Sequence, residues 1–158
     1  MSQGISARIS VGERRKNLTE KFRFLDHTAD AKFQAYGRTV EEAFANAALA
    51  TVSLMWEPAG VEKKLDYPVD VQGRDLEQLL VQFLGEIIYL LETRSFLVAT
   101  VDDLTIEKTD EGFRLKAVFR GDDRPARYAI FGEVKAVTYN EMRIDQGCPV
   151  TVQVVVDI

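Results

Sequence analysis

The chain of 158 residues holds one cysteine, Cys148, and one histidine, His27. A single thiol excludes an internal disulfide and a cysteine-cluster metal site, and with one imidazole the usual zinc ligand sets cannot be filled. This usage suits a reducing cytoplasm. No apolar run approaches the roughly 20 residues that cross a bilayer as a helix, and the first residues lack the apolar core of a secretory signal. Both common glycine-rich phosphate loops, G-x-x-x-x-G-K-[ST] and G-x-G-x-x-G, are missing. No Ser-His-Asp or Cys-His set stands out for nucleophilic catalysis. Positive charge is in deficit, with a formal net charge of −5. The global field therefore repels nucleic acid, and any link to RNA would run through a partner or a local patch.

What is present suits one domain with one core: 46% apolar and 28% charged residues are ordinary for a globular chain. Residues 1–20 read as a flexible N-terminal tail without sustained periodicity. The basic cluster Arg14-Arg15-Lys16 there is either solvated or an electrostatic contact, and Glu13 and Glu20 interrupt the pattern of a transit peptide. Residues 21–158 read as a single compact α+β domain.

Two helices stand out. Thr39-Val40-Glu41-Glu42 is a capping box, followed by an apolar stripe at Val40, Ala43, Phe44, Ala47, Ala48, Leu54 and Met55, with Thr51 filling in. Pro58 and Gly60 are expected to end this helix, Trp56 to pack at its last turn, and Asn46 to be solvated. Asp75 is the expected N-cap of a second helix, whose run from Leu76 to Leu91 keeps the helical period. Val81 and Ile88 widen its stripe, so it is expected to be covered on more than one side. Gly85 inside it predicts a close crossing.

The rest alternates as strands do. Residues 65–71 form a half-buried strand, with Pro68 marking an edge or a bulge. Residues 97–101 and 104–107 read as short strands joined by a turn at Asp102-Asp103, and residues 109–112 as a hairpin loop before a strand over 113–119. Residues 121–125 read as a polar turn with Arg120, Arg124 and Arg127 around it. Another strand is expected over 133–139 and a turn over 146–149. The last strand, 150–156, is too β-branched for a frayed end and belongs inside a sheet. The expected architecture is two main helices packed on mixed or antiparallel β-sheet.

The chemistry gathers at two places. In Leu25-Asp26-His27-Thr28-Ala29-Asp30, two carboxylates, the histidine and a hydroxyl lie within five residues. Such a set makes a tight turn, and His27 beside Asp26 or Asp30 reads as a structural hydrogen-bond node or half of a general-base pair. The chain then stops at Val154-Val155-Val156-Asp157-Ile158. If these regions meet, Asp30, Asp157 and the terminal carboxylate of Ile158 converge. Bare like charges at ~4 Å repel by about 4 kcal/mol at an effective dielectric near 20, so the cluster would be protonated, paired with a base or loaded with a cation. Oxygen ligands suit calcium, magnesium or manganese, and calcium best tolerates irregular geometry. Spacing alone does not show that the regions meet.

Several segments occur together in one order: Phe24-Leu25-Asp26-His27-Thr28-Ala29-Asp30, Ala35-Tyr36-Gly37 with Thr39, the run from Glu41 to Ala50, Leu79-Leu80-Val81 with Tyr89-Leu90, Val134-Lys135-Ala136-Val137-Thr138-Tyr139, and Val155-Val156-Asp157-Ile158. In these the chain resembles the archease family, from about Phe22 to the last residue; Asn140 stands where a histidine is common. The resemblance implies a small cytoplasmic α+β protein that assists the tRNA-splicing RNA ligase, which joins RNA ends using GTP and manganese. It implies an activator, not a ligase, that promotes guanylylation and multiple turnover of its partner and broadens its nucleotide use. It also implies a metal site at Asp30, Asp157 and Ile158 and a role for Lys135, which by itself reads as a solvated strand lysine. Two other classes remain at this stage. One is a general chaperone-like binding module for RNA-processing proteins, with an exposed apolar patch. The other is a metal-dependent hydrolase, with an open coordination site and a substrate pocket.

Overall fold

The computed structural model describes residues 19–26 and 30–158. Most of the expected tail, and His27, lie outside the described residues. The strands are β1 (Phe22–Leu25), β2 (Ala31–Gly37), β3 (Leu65–Gly73), β4 (Leu97–Thr109), β5 (Gly112–Asp122), β6 (Ala136–Asp145) and β7 (Val150–Asp157). Two α-helices, α1 (Val40–Ser53) and α2 (Leu76–Arg94), interrupt them. All strand pairings are antiparallel and form two sheets, ordered β1-β2-β7-β6 and β3-β5-β4. Helix α2 packs on strands of both sheets, and α1 packs on β2 and β4. This is the α+β arrangement expected, with the sheets wholly antiparallel.

Both helix starts follow their capping residues. The Glu42 amide donates to Thr39 Oγ1 at 3.1 Å, while the Glu42 carboxylate reaches back to the Arg38 amide at 2.7 Å. At α2 the Gln78 amide donates to Asp75 Oδ1 at 2.8 Å, and Gln78 Oε1 accepts from the Arg74 amide at 2.7 Å. Each carboxylate or amide thus satisfies a backbone donor with no intrahelical partner. Gly37 allows β2 to run directly into α1, because a Cβ there would collide with the Ala43 amide and the Glu42 side chain. Ala43, Ala47, Ala48 and Ala50 of α1 are fully buried, and their small size lets that helix lie close on the sheet.

Several expectations are corrected. Helix α1 ends at Ser53, not at Pro58. Met55 and Trp56 lie beyond it and are still fully buried, with Trp56 Nε1 donating to the Val98 carbonyl at 2.9 Å. Their burial is set by packing on β4, not by helical phase. Asn46 is not merely solvated: its Nδ2 donates to the Tyr36 carbonyl at 2.8 Å and ties α1 to β2. Asp102-Asp103 is a bulge inside the single long strand β4, with Asp103 at φ 54°, rather than a turn between two strands. The guanidinium of Arg120 faces that bulge, 3.5 Å from both Asp66 and Asp102 and 3.8 Å from Asp103, and so offsets three negative charges on the outer face of the smaller sheet. Residues 121 and 122 belong to β5, and residues 142–145 to β6.

Gly85 does not mark a close crossing. A Cβ placed there would meet nothing within 4 Å. Likewise Val81 and Ile88 are only half-buried, whereas Leu79, Leu80, Phe83, Leu84, Ile87 and Leu90 form the fully buried face of α2. Gly85→Ala should therefore stabilise the protein by about 0.5–1 kcal/mol through helix propensity alone, read as a higher urea midpoint with an unchanged slope. A lower midpoint would mean that residue 85 is packed.

The segment from β5 to β6 carries the chain from one sheet to the other. Buried Asp122 anchors it: Tyr128 donates its hydroxyl hydrogen to Asp122 Oδ2 at 2.7 Å, the Asp123 amide donates to Oδ1 at 2.9 Å, and Arg127 stands 3.7 Å away. The Tyr128 hydroxyl also accepts from the Glu62 amide at 3.2 Å. The hydrogen bond from Tyr128, helped by the Asp123 amide and the charges of Arg127 and Lys64, holds the Asp122 carboxyl below its ordinary range against the opposing effect of burial. A depressed carboxyl stabilises the fold above its unfolded value, about pH 4, and loses that contribution as the pH falls through the folded value. Asp122→Asn should therefore lower stability at pH 7 and flatten its decline on acidification. Equal acid slopes for the two proteins in urea melts between about pH 5 and pH 2 would show that Asp122 is not the linked group.

Candidate functional site at the sheet end

Strand β7 lies between β2 and β6, and its register decides what stands at its end. On one side the pairing ends with Ala31 opposite Val156, and Asp30 and Asp157 are the residues next to that pair. On the other side Ala136 pairs with Asp157, and the Lys135 amide donates to the Asp157 carbonyl at 2.7 Å. The backbones of Asp30 and Asp157 therefore lie at the same end of the sheet. Ile158 follows, 52% exposed. Asp26 leaves β1 at the same end, directly after the Leu25–Lys32 pair, and is exposed. Lys135 is exposed as well. Its link to Asp157 is through the backbone, with no ion pair between the two side chains. His27 is outside the described residues.

That convergence reflects the make-up of β7. Val150, Val152, Val154 and Val156 enter the main core, so the strand cannot slip by one residue without turning four valines outward. The pairing places side by side two segments far apart in sequence, since residues 30 and 157 differ by 127 positions.

Proteins similar to this one in sequence and fold are known. The model of the Archease protein family (MTH1598/TM1083) matches residues 22–158. A protein archease of Pyrobaculum neutrophilum is 42% identical over 140 residues, covering 87% of this chain and 95% of its own. One from Methanosarcina mazei is 37% identical over 141 residues, covering 88% and 97%. The solution structure of Methanobacterium thermoautotrophicum protein 1598 superposes with a TM-score of 0.74 at 30% identity, over 87% of this chain and 99% of that one.

The chain belongs to the archease family.

Around the acidic end, this archease carries features that its sequence pattern did not reveal. In β6, residues 139–142 stand opposite Val154 alone, because Thr138 pairs with Val155 and Arg143 with Gln153. The bulge turns over the outer face of the sheet at Glu141, which has φ 54°. From there Glu141 Oε1 meets Lys32 Nζ at 2.8 Å, across β7 on strand β2. The Glu141 carbonyl accepts from Gln153 Nε2 at 2.9 Å, Gln153 Oε1 accepts from Gln34 Nε2 at 3.0 Å, and Gln34 Oε1 accepts from the Tyr36 hydroxyl at 3.2 Å. This ladder ties three strands on the face opposite the core. Val155 on that face is fully buried yet stands apart from the main core. Its apolar side chain, odd for an outer-face position, was the one sequence signal of a covered patch there. Asn140, in the same bulge, uses its amide to donate to Thr138 Oγ1 at 3.3 Å and is exposed.

Asp30 and Asp157 carry carboxylate oxygens, the donor type that suits a hard divalent cation. Among the described residues no three histidine, cysteine, aspartate or glutamate side chains gather closely enough to hold a metal, so any cation here would draw on further oxygens as well. Among the described residues, too, no helix is long and apolar enough to cross a membrane.

The covered outer face is testable. Val155→Asp would place an unpaired carboxylate under the bulge and should lower stability by about 3 kcal/mol or more. Thr151→Asp, half-buried on the same face, should lower it by under about 1 kcal/mol. Similar losses for both variants in denaturant titrations would mean that the bulge does not cover Val155.

Proposed function

We propose that this chain is a non-catalytic accessory protein that activates the GTP-dependent tRNA-splicing RNA ligase in the cytoplasm, promoting its guanylylation and multiple turnover. The acidic sheet end docks at the ligase active site. The observation that carries this reading is the β2–β7 register, whose last pair, Ala31 with Val156, has Asp30 and Asp157 as its neighbours, next to exposed Ile158. Membership of the archease family supports it, as does the want of a phosphate loop or a nucleophile set of the chain's own.

Asp30, Asp157 and the terminal carboxylate of Ile158 would hold a divalent cation, calcium first, with magnesium and manganese of the same hard character. Bound there, the ion would neutralise the carboxylates and offer the ligase site a positive centre. Without it the cluster keeps its negative charge and repels the acidic groups and phosphates it is meant to approach. The exposed ammonium of Lys135 contacts a phosphate or an acidic side chain of the ligase. Asp26, exposed at the same end, adds to the negative field, and His27 is assigned to the same surface.

Asp157→Ala tests the reading cleanly, because it keeps the carbonyl that accepts from Lys135. Deleting Asp157 and Ile158 would remove that bond along with the carboxylates. The variant should melt as the wild type does, lose calcium binding in a calorimetric titration, and fail to support more than a single turnover in a ligation assay. Full multiple-turnover activation by Asp157→Ala would overturn the proposal, and turnover of phosphoester substrates by the protein alone would favour a hydrolase instead.

A further inference from the structure

Helix α2 runs alongside the start of β6, the edge strand of its sheet, and the two enclose a groove of about 410 Å³. Gly85 and Glu86 line it together with half-buried Val81, Ile88 and Val137. Three features of this groove have no explanation within the chain. The first is the glycine. It weakens a helix interior, yet nothing lies within 4 Å of where its Cβ would be, so no intramolecular contact requires it. Glycine in such a place serves close approach of something outside. The second is Glu86, half-buried with no hydrogen bond or ion pair. Burial alone pushes its carboxyl above the ordinary range, so the groove withholds water from it without supplying a partner. The third is the apolar wall: Val81 and Ile88 continue the stripe of α2 past the buried core but remain uncovered. The other charged residue of the lining is Glu92, and no lysine or arginine lines the groove.

We propose that this groove seats a polypeptide segment of the partner ligase that presents an apolar side chain with a lysine or arginine beside it. The apolar group lies over Gly85 between Val81, Ile88 and Val137, and the cation pairs with Glu86, with Glu92 at the rim. Charge complementarity selects the occupant: a carboxylate already stripped of part of its water gains more from a cation than an exposed one does. The groove begins at Ala136, which pairs with Asp157, so a partner at the acidic sheet end reaches it without leaving the surface. The inference rests on the ligase reading but uses residues separate from the acidic end.

The test measures binding of the purified ligase to the full chain by fluorescence anisotropy, beside turnover in the ligation assay. Gly85→Leu, which fills the groove, and Glu86→Lys, which reverses its charge, should each weaken binding about tenfold or more. Glu86→Gln should weaken it less and reduce its dependence on salt. Should Gly85→Leu disturb the fold in thermal melts, Glu86→Lys decides alone. Wild-type affinity in both variants, with Asp157→Ala still inactive, would overturn the groove and leave the ligase reading standing. Weakened binding by the groove variants with Asp157→Ala fully active would support the groove and overturn the acidic end. A change in sedimentation of the protein alone on Gly85→Leu would make the occupant a second copy and overturn the proposal, as would failure of the wild type to bind the ligase.

Discussion

The pairing of β7 with a neighbour on each side is the constraint on which the rest depends. Four of its valines enter the core, each worth ~1.5–3 kcal/mol when fully buried, and both its edges are hydrogen-bonded to partner strands. A chain end placed in this way cannot fray without opening the sheet. The last two residues therefore occupy a defined position beside the start of β2, and an acidic pair is created by residues distant in sequence. The make-up of this end is a by-product of where a strand of valines has to go.

Two acidic crowds on the molecule are handled differently. On the smaller sheet Asp66, Asp102 and Asp103 surround the Arg120 guanidinium, and Asp70 is paired with Arg114. Those carboxylates are balanced from within, as structural surface charges are. At the end of β7 the Asp157 side chain has no such counterpart among the described residues, and Lys135 meets it through the backbone alone.

Strand β6 links the features of that surface. Its first residue pairs with Asp157, its first two residues line the groove under α2, and its bulge falls between the residues paired with Val155 and Gln153. The strand is reached from the other sheet by the segment that Asp122 and Tyr128 pin down, so the positions of Lys135 and Ala136 depend on an anchor well removed from the acidic end. Helix α2, gripped by strands of both sheets, supplies the rigid opposite wall.

Helix starts at Thr39 and Asp75, the buried stripe of α2, the hairpin after Thr109 and the interior placement of β7 were legible in the sequence, because capping, periodicity and β-branching act over a few residues. The motif around Asp30 and the ending Asp157-Ile158 were likewise visible as chemistry in search of a geometry. What only the tertiary structure decided is which distant backbones lie together: the placing of Asp30 and Asp157 at one end of the sheet, the bulge that brings Glu141 to Lys32, the reach of Asn46 to β2, and the open space beside Gly85 that a helical pattern reads as close packing. Local preferences set how each segment bends, but register and open space depend on the sum of contacts across the whole core, and no short stretch of sequence carries that sum.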